Sequence, residues 1–367
     1  MLRVIGASMG HRLVLTSFGE SHGGCIGALL TGCPAGLEIS ISDIQPMLDR
    51  RRPGQSSITT QRKETDRVEI LTGTYRGRTT GAPIAMTIRN SDQRSADYDD
   101  LEHVPRPGHS DYPAGIRYGG HNDPRGGGIF SGRLTATQVM AGAIARKLLD
   151  RMMGIRIASY TASIGGVDAH VDGVPSEDSI YGNDVRCPDT DAAVGMKDEI
   201  VRARGSGDTL GGVIQSVASG VPPGLGEPIY NSLESDLAVA AFSIPSVKGV
   251  EFGSGFAGAR SRGSANNDPY TMQDGTVRTT SNNSGGILGG LSTGMDITMR
   301  VAFKPASSIA IPQRSVDTRT MSGTTLRVRG RHDPCVVPRA PPVVDSMMAL
   351  VLADHAILQG MIGPVVP

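Results

Sequence analysis

A chain of 367 residues with 38% hydrophobic residues can bury a sizeable core, while its formal charge is zero and its pI about 7.1. That balance excludes a global basic field for nucleic acid or an anionic membrane, and no stretch has the apolar length of a bilayer span. Cys25, Cys33, Cys187 and Cys335 show neither a C-x-x-C pair nor zinc-like spacing; with no secretory pattern in Met1 to Gly10, reduced thiols and a cytoplasmic protein are expected.

Ile26 to Leu30, bracketed by turn residues, reads as a strand. Ile44 to Arg52 reads as a short helix that Pro53 stops, with Pro46 tolerated in its first turn. The clearest helix follows Gly126-Gly127-Gly128 and runs from about Gly132 to Met152, where Met140, Ile144 and Leu148 recur every four residues. Further helices are expected over Asp191 to Arg204, ended by Gly205, and Ser232 to Ser243, halted before Pro245. Strands are expected at Val213 to Ser219 and Ile297 to Phe303, each just after a Gly-Gly pair. A last helix follows Pro341-Pro342, with Val344, Met348, Val351 and His355 at helical spacing. No linker or composition shift divides the chain, so residues 1–367 read as one domain. Segments 52–67, 90–128, 253–284 and 304–338 look irregular, and long loops in a compact domain usually carry function.

The unusual chemistry sits in those loops. Five lysines (63, 147, 197, 248 and 304) out of 36 basic residues leave 31 arginines, whose planar forks suit carboxylates and phosphates. Gly19-Glu20-Ser21-His22-Gly23 places a histidine between glycines, where backbone can approach a ligand. Arg50-Arg51-Arg52 ends a helix, where the dipole alone would favour cations. Arg106-Pro107-Gly108-His109-Ser110-Asp111 puts Arg and His in one loop. Arg125-Gly126-Gly127-Gly128 leads to Ser131 and Arg133 at a helix start, where free N–H groups face an anion, although no Gly-Lys-Ser/Thr follows to make a nucleotide P-loop. Ser131 could cap that helix or bind a phosphate oxygen. Asn282 to Gly290 and Lys304-Pro305-Ala306-Ser307-Ser308 form a plausible phosphate cradle, or ordinary turns. Arg331-His332-Asp333 lacks the spacing of a metal site. Together these loops describe a site for a polyanionic substrate with acid–base chemistry.

Three stretches resemble the signatures of chorismate synthases: GESHGGCIGALLTGCP from Gly19, GIFSGRLTATQVMAGAI from Gly128 and RHDPCVVPRAPPVVDSM from Arg331. DRRRPGQSS, TQRKETD, DQRSADY, RPGHSDY, SNNSGGILGG and KPASS are also similar to that family, so the resemblance spans nearly the whole chain in order. It implies an α+β sandwich of antiparallel sheets around a layer of helices, assembled as a homotetramer. It implies an anti 1,4-elimination of phosphate from 5-enolpyruvylshikimate 3-phosphate to chorismate, requiring reduced FMN without net redox change. By the same resemblance His22 protonates the departing phosphate. His109 lies by the flavin, and Asp333 assists proton removal through it. Ser21, Arg51, Arg106, Arg133 and Arg331 would bind substrate, while Ser131, Asn267, Gly289, Lys304, Pro305, Ala306, Ser307, Ser308 and Arg331 would contact FMN.

The chain departs from the family pattern in three places. Ile129-Phe130 stands where many members have Arg-Ser, Ser57 where many have Arg, and Asp345 where Glu is usual. Ser57 weakens an NADP contact, which points to an external flavin reductase. Asp345 is expected in the first helical turn, where either acid serves. A glycine/arginine-loop RNA-binding protein is the rival reading; it would need repeated RGG units, aromatic stacking partners and a basic balance, and the chain has one such unit, few aromatics and zero net charge.

Overall fold

The computed structural model describes residues 6–56, 58–60, 64–91, 103–328 and 333–367. Two five-stranded antiparallel sheets flank a layer of helices, an α+β sandwich. The first sheet orders its strands Ser8–Met9, Val14–Gly19, Cys25–Thr31, Ile84–Arg89 and Val68–Ile70. The second orders Val247–Phe252, Ile297–Phe303, Gly212–Ser219, Arg156–Ile164 and Val167–Asp168. The two strands that follow Gly-Gly pairs lie side by side at its centre, with Ile214 opposite Val301. Ile297–Phe303 alternates strictly: Ile297, Met299, Val301 and Phe303 are buried, while Arg300 is exposed. Period-two burial of this kind gives a sheet one face on the core and one towards solvent.

The helix Thr135–Met153 packs on the first sheet and against the C-terminal helix Pro341–Leu358, which in turn packs on the second sheet. Every residue from Pro341 to Ala356 is buried. That explains why this helix is apolar all round: it is long and apolar enough to cross a membrane, yet 89% of its apolar window is inside the protein. The two central helices touch at Gly142, where a Cβ would stand 2.1 Å from Cβ of Ser346. A backbone approach that close admits only glycine. One hydrophobic cluster runs from Leu13 to Val366 through both sheets and the helices between them.

The helices expected from periodicity are present at Ile41–Arg51, Thr135–Met153, Thr190–Gly205, Leu233–Phe242 and Pro341–Leu358. The second begins late because Gly132–Leu134 forms a 3-10 turn. The segments read as irregular contain structure: a helix at Asp111–Arg117 and hairpins Tyr270–Gln273/Thr276–Thr279 and Gln313–Asp317/Ser322–Leu326. The first of these hairpins turns at Asp274-Gly275, both with positive φ, a pairing that favours tight hairpins. Its strands are largely exposed, so no apolar alternation marks them. Asp345 is not in the first turn of its helix. It is buried beside Arg146, Nη1 to Oδ2 3.7 Å, and burial lifts its carboxyl to about 6. All four cysteines are unpaired; Cys25 is half-buried and the other three are buried.

Candidate active site

A cavity of about 740 Å³ lies where both central helices begin, with Thr135 at the start of one and Ala340 and Val343 at the start of the other in its wall. A helix N-terminus turns positive potential towards whatever fills such a space, although Pro341 and Pro342 bring no N–H and the N–H groups of Val343 and Val344 are bonded to Ala340 O. Arg51, Arg106, Arg133, Lys248, Lys304 and Arg339 line it, and among the described lining residues the carboxylate is Asp333.

The glycine turn after Arg125 forms part of the wall. Gly126 and Gly127 have φ of +60° and +84°, a region open to glycine at little cost. A Cβ at Gly126 would come 2.9 Å from both His22 Nε2 and Ser21 Oγ; one at Gly127 would come 3.3 Å from His109 Nε2. The glycines therefore let two histidines from distant segments reach successive residues of one turn. Ser21 and His109 line the cavity, and His22 sits behind Gly126, 5% exposed. Ser21 Oγ is buried with no hydrogen-bond partner among the described residues. Ser131 lines the cavity and also accepts from Arg133 N–H at 3.3 Å, capping the 3-10 turn.

The arginines differ in what they have left to offer. Arg51 donates to Asp66 Oδ2 at 3.0 Å, Thr135 Oγ1 at 2.9 Å and Gly132 O at 2.7 Å. It is buried, which with the neighbouring Arg339 pulls its guanidinium down to about 9. Arg133 pairs with the other oxygen of Asp66 through Nη1 and with Asn90 Oδ1 through Nε at 3.1 Å. Its Nη2 is buried without a hydrogen-bond partner among the described residues, 3.9 Å from Glu64 Oε2. Burial works against the charge on Asp66, but Arg51 and Arg133 outweigh it and hold the carboxyl below its ordinary range. Asp66 takes φ +46°, a left-handed conformation that Asp tolerates better than most residues.

Arg106 is gripped by Asp111 through Nε and Nη2, both at 2.8 Å, and donates to Ser308 Oγ at 3.1 Å. That last bond joins the histidine loop to the Lys304–Ser308 loop. Lys304 Nζ donates to Gly108 O, and neither Lys304 nor Lys248 forms an ion pair among the described residues. Asp333 accepts from Thr60 N–H at 2.8 Å and pairs with Arg339, whose Nε donates to Arg51 O at 3.0 Å.

The structure thus gathers Ser21, Arg51, Arg106, His109, Ser131, Arg133, Lys304, Ala306, Ser307, Ser308 and Asp333 around one space. Pro305, Asn267 and Gly289 are not in its lining. Asn267 follows the short helix Gly263–Asn266, and Gly289 with Gly290 makes the two-residue turn of the Ile287–Leu288/Leu291–Ser292 hairpin. Arg331 and Ser57 lie outside the described residues. Sequence reasoning did not single out Asp66, Arg339, Lys248 or the Phe242–Val247 wall. The signal available for Arg339 was its place in the C-terminal signature; Phe242–Val247 carried only a helix-stopping proline.

The chain matches the family model for chorismate synthase over residues 13–357. It is 52% identical over 363 residues to the chorismate synthase of Korarchaeum cryptofilum (strain OPF8), covering 98% of this chain and 99% of that protein. Against that of Thermococcus kodakarensis it is 50% identical over 346 residues, covering 94% and 96%. A crystal structure of a chorismate synthase aligns with TM-score 0.72 and 32% identity over 96% of this chain and 93% of that one. Fold, site and relatives define a carbon–oxygen lyase acting on phosphates. More particularly, the chain belongs to the chorismate synthase family, which serves aromatic amino-acid biosynthesis.

Proposed function

We infer that this cavity eliminates phosphate from 5-enolpyruvylshikimate 3-phosphate to give chorismate, with reduced FMN held beside the substrate. The observation that carries the reading is the meeting of Ser21, His109, Arg106, Arg133, Lys304 and Asp333 in one cavity at two helix N-termini, with His22 one residue behind it. A volume of about 740 Å³ suits cofactor-sized ligands, whose sites span roughly 300–1,000 Å³. Two buried donors without a hydrogen-bond partner among the described residues, Ser21 Oγ and Arg133 Nη2, fit an anion that supplies the missing acceptors.

Lys304, Ser307 and Ser308 would hold the FMN phosphate, and Ser131 and His109 would lie along the flavin. Reduced FMN, when bound, would supply electron density to the elimination without net redox change. The protein's own part is binding and proton transfer. Arg133 Nη2 and the helix N-termini neutralise the leaving phosphate, and His22 at Gly126 delivers its proton. Arg51, each of whose three guanidinium nitrogens already donates, braces the start of the Thr135–Met153 helix. Asp333, held by Thr60 and Arg339, stands as the base for the ring proton. The family resemblance supports a homotetramer, the unpaired cysteines fit the cytoplasm, and Ser57 where many members have Arg points to an external flavin reductase.

Absorbance titration tests the site. FMN should bind, the substrate should tighten that binding, and Lys304→Met should weaken it at least about tenfold, or roughly 1.4 kcal/mol. Unchanged FMN affinity in Lys304→Met would overturn the assignment of the phosphate cradle.

A further inference from the structure

We propose that Asp111 is the positioning residue for His109: its carboxylate fixes the ring proton on Nδ1 and so presents Nε2, without a proton, to the glycine turn of the cavity. The inference rests on the proposed function only for its consequence in turnover; the ring tautomer stands apart from it.

His109 Nδ1 lies 2.5 Å from Asp111 Oδ1, a contact that requires a proton between them. Asp111 is also the acceptor for Arg106 Nε and Nη2 at 2.8 Å and for Arg106 backbone N–H at 3.0 Å. Burial disfavours its charge, yet the hydrogen bonds from Arg106 and His109 hold the carboxyl far below its ordinary range. An ionised carboxylate only accepts, so the shared proton belongs to Nδ1. Arg106 Nη2 is 3.1 Å from Nδ1 and 3.3 Å from Nε2; nearly equal distances to the two ring nitrogens place the guanidinium over the face of the imidazole, clear of both in-plane positions. With Nδ1–H donated to Asp111, Nε2 keeps its lone pair. The Cε1–Nε2 edge faces Gly127, where a Cβ would come within 3.2 Å. Two residues of spacing in the loop thus set both the orientation and the tautomer of the imidazole, the arrangement by which a carboxylate directs a histidine in many proton-transfer sites.

The test uses the full-length protein with ¹⁵N-labelled histidine, His109 being assigned by its loss in His109→Gln. At alkaline pH, two-bond ¹⁵N–¹H correlations should show a protonated Nδ1 and a bare Nε2. A neutral ring with its proton on Nε2 overturns the proposal without any variant having to fold. In Asp111→Asn the amide can turn its NH₂ towards Nδ1, so the proton should move to Nε2. The kcat should then fall roughly 10²–10⁴-fold, with KM changed no more than about threefold. An unmoved tautomer with kcat retained overturns the proposal. Absence of chorismate formation by the native protein would instead overturn the function and leave the tautomer result standing.

Discussion

A carboxylate serves as a base when its partners hold it without using every lone pair. Asp333 meets that condition: Thr60 N–H takes one position and Arg339 another, leaving roughly two acceptor sites. Asp333→Asn keeps the shape and removes the basicity, so kcat should drop roughly 10²–10⁴-fold, as for loss of a positioned base. FMN affinity, read by titration, should barely move. Near-normal turnover would make Asp333 a brace for Arg339, and collapse of FMN binding would make it an organiser of the loop. Asp345 is a different kind of acid, since burial raises it from 3.8 to about 6 and Arg146 offsets this only in part. The unfolded chain ionises this group near 3.8 and the folded chain near 6. Its contribution to stability is therefore fully present below about 4 and lost as pH rises through 6. Asp345→Asn removes that loss. Its stability relative to the native chain, from urea unfolding, should grow by about 3 kcal/mol between acid and mildly alkaline pH. A difference that stays flat with pH would contradict the raised value.

The two central helices carry the fold's tightest contact, and it reverses an ordinary preference. Alanine in a helix is normally favoured over glycine by about 1 kcal/mol. At Gly142 a Cβ would meet Ser346 Cβ at 2.1 Å and its Cα at 2.4 Å, so a helix must shift. Gly142→Ala should therefore destabilise by about 1–3 kcal/mol, seen as a lower urea midpoint; a raised midpoint would show that the helices do not pack as described. Such helices were legible because their apolar residues recur every four positions and clear stop signals follow, as at Gly205 and Pro245. Strands Val14–Gly19, Ile84–Arg89, Arg156–Ile164 and Val247–Phe252 were not singled out; the last three each pair with a strand remote in sequence, whereas Val14–Gly19 pairs with the nearby Cys25–Thr31. The site divides likewise. His22, His109 and Lys304 announced themselves through glycine or serine neighbours. Asp66 pairs with Arg51 and Arg133, 15 and 67 residues away, and Arg339 joins the nearby Asp333 to the remote Arg51 carbonyl, relations that no local pattern encodes.

The cavity draws its walls from segments between Ser21 and Val343, so its geometry depends on how sheets and helices are tied together. Asp354, on the C-terminal helix, accepts the backbone N–H groups of His11, Arg12 and Leu13 at 2.6–2.7 Å, fixing the lead into the first sheet. Val366 N–H bonds Ala35 O at 2.8 Å, so the C-terminal segment closes on the same side of the chain. These ties let helices from the middle and the end of the sequence begin at a common wall, where their dipoles add positive potential. If that site performs the inferred elimination, flavin is a catalyst and nothing is consumed but substrate. The most direct measurement is an anaerobic assay with chemically reduced FMN and 5-enolpyruvylshikimate 3-phosphate, following chorismate, phosphate and flavin absorbance together. Equal amounts of chorismate and phosphate should appear over many turnovers per flavin, with the flavin still reduced at the end. Failure to form chorismate, or oxidation of one flavin for each chorismate released, would contradict the account.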